Sequence, residues 1–201
     1  HDGRLDLLLT GTRFDAATTN YVPLSRLYHN DGNGAFTWNT NTVLPGVALG
    51  SVAWGDYDND GWLDFLLTGY GGDDPEMGGP LIVARLYRNN RAGSFAWQTN
   101  ALSSLPVPGV MFGSSAWGDY NCDGRPDLLL TGSYSWFSVS LLCSNNGDGT
   151  FAVDSASLPG VTYSAVAWGD YNNDGHLDFV LTGAAGMLGM EGPISQGYHN
   201  H

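Results

Sequence analysis

The sequence predicts an all-β protein made of small antiparallel sheets, four strands to a sheet. Three observations predict it: a unit that recurs along the chain, short apolar runs that close at Gly, and Asn/Gly turns between them. The unit reads SVAWGDYDNDGWLDFLLTG at 51–69, SSAWGDYNCDGRPDLLLTG at 114–132 and AVAWGDYNNDGHLDFVLTG at 165–183. The chain opens on the second half of the same unit, HDGRLDLLLTG, at 1–11. The closing glycines Gly11, Gly69, Gly132 and Gly183 are 58, 63 and 51 residues apart, so the unit is constant and its connections vary.

Each element follows from local chemistry. SVAW and AVAW are short runs of small and apolar residues, and LDFLLTG is an apolar run ending at Gly, as expected of a strand buried on both faces. A second motif follows each unit: RLYHNDGNGAF from Arg26, RLYRNNRAGSF from Arg85, LLCSNNGDGTF from Leu141 and GYHNH from Gly197. An apolar strand, an Asn/Gly turn and a further strand make a hairpin. LPGV or LPVPGV, at Leu44, Leu105 and Leu158, is a Pro/Gly turn that hands the chain to the next unit. The count is three, four, four and three strands.

Four antiparallel strands repeated at this period form the pattern of a β-propeller, here about 3.5 blades. The units divide the chain into a partial blade at 1–50, blades at 51–113 and 114–164, and a partial blade at 165–201. Propellers close with roughly four to eight blades. Closure is therefore expected from further chain or from another copy, and the chain reads as a mature or partial segment of a longer product.

The loop inside each unit reads D-x-[DN]-x-D-G-x-x-D. Its members are Asp56, Asp58, Asp60, Trp62 and Asp64, then Asp119, Asn121, Asp123, Arg125 and Asp127, then Asp170, Asn172, Asp174, His176 and Asp178. The first unit keeps Asp2 and Asp6. Two carboxylates ~4 Å apart repel by about 4 kcal/mol at an effective dielectric of ~20. A divalent cation reverses that sign. Oxygen donors at alternate positions, with Gly in the sharp turn, suit Ca²⁺ better than Mg²⁺, which keeps its waters. Positions 1, 3, 5 and 9 would give side-chain oxygens. Position 7 (Trp62, Arg125, His176) would give its backbone carbonyl, since its side chains vary. The position-12 Glu of an EF-hand is absent. The competing reading is a metal-free Asx turn, which recurrence in three full copies and a half copy disfavours.

These motifs resemble the FG-GAP/VCBS repeats of integrin α-subunit propellers and bacterial surface proteins, over nearly the whole chain. The resemblance implies Ca²⁺ loops joining the first and second strands of a blade, and roles in adhesion, recognition or extracellular scaffolding. Asn121 and Asn172 depart from Asp at position 3, so weaker binding is expected at the third and fourth units.

Other residues carry narrower expectations. Trp54, Trp117 and Trp168 share one repeat position, and packing between sheets is preferred over ligand stacking. Leu7–Leu9, Phe65–Leu67, Leu128–Leu130 and Phe179–Leu181 should fill the sheet interiors. Cys122 replaces a loop Asn and Cys143 a hairpin Tyr within one blade, and a disulfide between them is expected. The connections at 12–25, 70–84, 133–140 and 184–196 vary most and carry Phe14, Tyr21, Met77, Met187 and Met190. Tyr134, Trp136 and Phe137 are the best ligand-contact candidates among them. His1, His29, His176, His199 and His201 are expected to be solvated.

Composition narrows the function. Seven Arg, no Lys and twenty acidic residues among 201 give a net charge of -13, which argues against nucleic-acid binding. No apolar run reaches the ~18 residues of a membrane span. No nucleophile or base recurs in a catalytic arrangement, and twelve of the twenty acids lie in the loops. The expected function is a non-enzymatic, secreted or cell-surface calcium-binding module for adhesion, recognition or assembly. Its partner would be a protein or glycan held by the variable loops, or another copy of the chain. The alternatives are a carbohydrate-binding propeller and a polysaccharide-acting enzyme on a Ca²⁺ scaffold.

Overall fold

A computed structural model describes residues 2–74, 76, 78–154, 156–186 and 190–200. Of the residues named above, Met77, Met187, His1 and His201 lie outside these. The described residues form fourteen strands and no helix, hence no helix long and apolar enough to cross a membrane. The first sheet holds β1 (Leu7–Asp15), β2 (Asn20–Gly32) and β3 (Ala35–Trp38). The second holds β4 (Ala48–Gly55), β5 (Asp64–Asp73), β6 (Pro80–Asn89) and β7 (Phe95–Trp97). Next come β8 (Ser115–Gly118), β9 (Asp127–Tyr134), β10 (Phe137–Asn145) and β11 (Phe151–Val153), then β12 (Val161–Gly169), β13 (Asp178–Ala185) and β14 (Gly192–Tyr198). One pairing, Val139 with Val161, links these last two groups into a single seven-stranded sheet. Every pairing is antiparallel.

Turn chemistry closes the hairpins. Asn33 and Gly34 join β2 to β3 at φ 54° and 79°, the left-handed values a two-residue turn needs. The connections between second and third strands are shorter than expected. Strands β1 and β2 pair through Asp15 and Asn20, so four residues remain of the segment expected at 12–25. Pairing of Tyr134 with Phe137 leaves Ser135 and Trp136 as the whole β9–β10 turn. Polar residues such as Thr12, Arg13 and Ser138 hide these extensions, because exposed strand ends lack the apolar run that marks buried ones.

Alternation along the strands builds the core. Leu66 of β5 packs with Leu128 and Leu130 of β9, while its neighbours Phe65 and Leu67 pack with Val47, Val83 and Tyr87. Leu129 turns to the opposite side, toward Val161, Phe179 and Leu181. Both faces of the two inner sheets are therefore covered, and Phe65–Leu67 and Leu128–Leu130 are fully buried. The expectation fails in part for the outer sheets. Leu7, Leu9 and Val180 are exposed, because among the described residues only the opposite faces of β1 and β13, with Leu8, Phe179 and Leu181, meet a neighbouring layer.

The shared tryptophan position stitches sheet to sheet. Trp117 donates its indole N–H to Ala53 O at 3.2 Å, and Trp168 donates to Ala116 O at 3.4 Å. Each ring lies over the glycine that follows the preceding Trp. A Cβ at Gly55 would stand 2.5 Å from Trp117, and one at Gly118 2.9 Å from Trp168. The Gly in Trp-Gly-Asp is thus a seat for the next unit's Trp. Trp54 instead meets Phe65 and Phe95 edge-on and lines an open cavity.

Candidate metal-binding loops

The three full loops lead into β5, β9 and β13 and are knit by the same hydrogen bonds, and the half loop leads into β1. In the second unit, Asp56 accepts from Asp60 N and Gly61 N at 2.9 and 2.8 Å, and Asp60 accepts from Trp62 N at 3.0 Å. Asp119 and Asp170 repeat the first pair of bonds, while Asp123 and Asp174 repeat the second toward Arg125 and His176. The half loop keeps one turn, Arg4 N to Asp2 at 3.0 Å. Glycine is required at position 6, where φ is 85°, 83° and 90° at Gly61, Gly124 and Gly175. Position 4 is also left-handed: Asn59, Cys122 and Asn173 have φ of 56°, 59° and 58°.

The ninth-position carboxylates anchor the loops to the sheet and are buried in the three full units. Asp64 accepts from Tyr57 N at 3.3 Å and Asn89 N at 2.7 Å. Asp127 does the same with Tyr120 and Asn145, and Asp178 with Tyr171 and Asn200. Asp6 keeps the bond from Asn30 N at 2.9 Å. Burial raises the Asp64 carboxyl to about 7 and the Asp127 carboxyl to about 6, with neighbouring loop carboxylates adding to the rise. At Asp178 burial is outweighed by the bonds from Asn200, His199 and Tyr171, and its pKa is lowered.

Asn30, Asn89, Asn145 and Asn200 were not singled out from the sequence. Each backbone N–H reaches the ninth-position carboxylate. The side chains of Asn145 and Asn200 also reach the preceding unit, donating to Tyr57 O at 2.8 Å and Tyr120 O at 2.5 Å. Their recurrence after the hairpin strand in all four copies was the available signal.

Asp56, Asp58 and Asp64 are the acidic group, among the described residues, that brings one carboxylate oxygen from each member within 4.8 Å of the others. Asp58 Oδ1 is buried and has no hydrogen-bond partner. A buried carboxylate oxygen without a donor, on a side chain grouped with two other carboxylates, fits a hard cation. Loops 3 and 4 offer Asn121 and Asn172 in place of the third-position carboxylate, and both amide oxygens accept a backbone N–H. At position 7, the Arg125 side chain bonds Asn145 O and Asp123, and His176 Nδ1 lies 3.4 Å from Cys122 Sγ. Trp62 lines the cavity beside the first sheet.

The expected Cys122–Cys143 disulfide is not formed. Cys143 is fully buried in the core beside Leu128 and Phe151. Cys122, held left-handed at the loop tip, turns to the next unit, with Sγ 3.8 Å from Gly175 O. Sequence adjacency of strand and loop did not reveal that Cys122 turns to the fourth unit while Cys143 packs into the core.

The ligand-contact candidates lie at the far end of the strands from the acidic loops. Trp136 and Phe137 are exposed and Tyr134 half-buried, at the tip of the β9–β10 hairpin. A second aromatic surface lies elsewhere: a cavity of about 1050 Å³ between the first two sheets, lined by Trp38, Trp54 and Trp62 with Asp2, Asn39 and Arg91.

No curated protein matches the chain. The FG-GAP-like repeat matches residues 1–67 and 133–181, more than half the sequence, and both segments include acidic loops or the strands they enter. The repeated loop, its Gly turn and the strand it feeds therefore place this chain in the FG-GAP-like repeat family.

Proposed function

We propose that the chain is a non-enzymatic, calcium-stabilised propeller segment that serves extracellular recognition or assembly. The observation that carries this reading is the second loop: three grouped carboxylates, one of which, Asp58, has a buried, unpartnered oxygen. Asp56, Asp58 and Asp64 would hold the ion there. Asp119, Asn121, Asp123 and Asp127, and Asp170, Asn172, Asp174 and Asp178, would do so in the later loops. The cation would replace carboxylate repulsion with attraction and lock each loop against its sheet. Successive packing of β4 on β8 and β8 on β12 supports an arrangement of sheets around an axis, closed by further chain or a second copy.

Affinity in the ~10⁻⁴–10⁻³ M range of extracellular modules suits a compartment rich in calcium. Thermal melts test the reading: calcium raises the melting temperature of EGTA-treated protein by several degrees, and magnesium does so less. Equal melting temperatures with and without calcium would overturn it. A second reading, glycan recognition, is favoured by the tryptophan-lined cavity with its Asn, Asp and Arg neighbours. Binding on a glycan array that is lost in Trp54→Ala would establish it.

A further inference from the structure

Two arginines single out the second loop. Arg88 Nε lies 2.5 Å from Asp58 Oδ2, and its Nη2 lies 3.0 Å from Asp60 Oδ2. Arg91 Nη2 lies 2.8 Å from the same Asp60 oxygen. Arg88 leaves the end of β6 one residue after Tyr87 and one before Asn89, which anchors Asp64. The same position carries His29, Ser144 and His199 in the other units. Guanidinium on the third-position carboxylate is therefore particular to loop 2.

The consequence inverts what carboxylate counting predicts. Loop 2 has four carboxylates and looks the strongest cation site in the sequence. Two guanidinium groups already face it. Loop 3 has three carboxylates with Arg125 on Asp123, and loop 4 has three with no arginine ion pair among the described residues. Arg88 holds Oδ2 of Asp58, whose Oδ1 is buried without a hydrogen-bond partner, in a side chain grouped with Asp56 and Asp64. A calcium ion there shares Asp58 with a fixed positive charge, or must displace it. The arginine side chains are about half exposed (44% and 51%), so they can swing into water.

We propose that Arg88 and Arg91 are built-in counter-cations that make loop 2 self-neutralising, so that it loads with calcium last and holds its shape when calcium is scarce. The proposal rests on the calcium reading above. Half-exposed ion pairs each contribute a factor of about two to five, so the two arginines together set a penalty of roughly tenfold. Arginine stays charged at any physiological pH, so this penalty does not depend on proton uptake.

Calorimetric titration with calcium alone tests it, on the wild-type chain, on Arg88→Gln with Arg91→Gln, and on that pair with Asp56→Asn added. The double variant gains one site about tenfold tighter than in wild type, and Asp56→Asn removes the gain. A second readout is thermal. In EGTA the double variant melts below wild type, because its carboxylates lose their partners, yet calcium raises its melting temperature by more. Calcium binding that is the same in wild type and double variant overturns the arginine proposal and leaves the calcium reading standing. Binding by the double variant alone supports the proposal and confines the calcium reading to a loop freed of its arginines. No binding by either protein overturns both.

Discussion

At the fourth loop position the backbone is left-handed, a conformation that costs ordinary L-residues roughly 1–2 kcal/mol and that Asn tolerates best after Gly. Asn59 uses it and donates to Gly124 O of the next unit at 2.7 Å. Cys122 occupies the equivalent place with weaker sulfur contacts, to Gly175 O and His176 Nδ1. Cys122→Asn should restore both the tolerated conformation and the inter-unit hydrogen bond, adding on the order of 1 kcal/mol. A melting temperature about 2–4 °C higher by calorimetry is the expected outcome. Because Cys143 is buried away from this loop, reductant should leave the wild-type melting curve unchanged.

Strand by strand, the glycine after each repeat Trp decides how closely sheets approach. Gly118 and Gly169 share a motif and neither has a left-handed φ, but they differ in what a Cβ would meet. At Gly118 it would stand 2.9 Å from the Trp168 ring, and at Gly169 nothing lies within 4 Å among the described atoms. Gly118→Ala should therefore lose about 1–3 kcal/mol through overpacking, while Gly169→Ala should be near neutral. Paired urea denaturations check this, and equal losses would refute the seat. Much at this scale was legible in the sequence. Strand number, Asn/Gly turns and buried runs such as Leu128–Leu130 follow from period-two patterning and turn residues, which are local properties. The outward-facing Leu7, Leu9 and Val180 were not legible, because burial depends on whether a neighbouring sheet covers that face. Nor was the role of Arg88. In sequence it is one variable residue in a hairpin strand, and only the fold carries its side chain onto Asp58, thirty residues earlier.

Over the whole molecule, the acidic loops set how stability responds to pH. Asp64 is raised to about 7 and Asp127 to about 6, whereas an unfolded Asp titrates near 3.8. Between these values the unfolded chain carries the charge freely and the folded chain does not. Folded stability without metal therefore falls as pH rises from about 4 through about 7, and levels off above that. Carboxylates with lowered pKa, such as Asp60 beside Arg91 and Asp174 bonded to His176 N, act in the opposite sense and at lower pH. Their contribution is present above 3.8 and lost as pH falls below it, so the two groups separate on the pH axis. EGTA-treated protein should accordingly melt several degrees higher at pH 5 than at pH 7.5, and Asp64→Asn should flatten that slope. Calcium binds the ionised form, so its stabilising effect should grow across the same interval and oppose the fall. Melting temperatures of metal-free protein that climb from pH 5 to 7.5 would mean that the ninth-position carboxylates are not the groups that strain the apo fold.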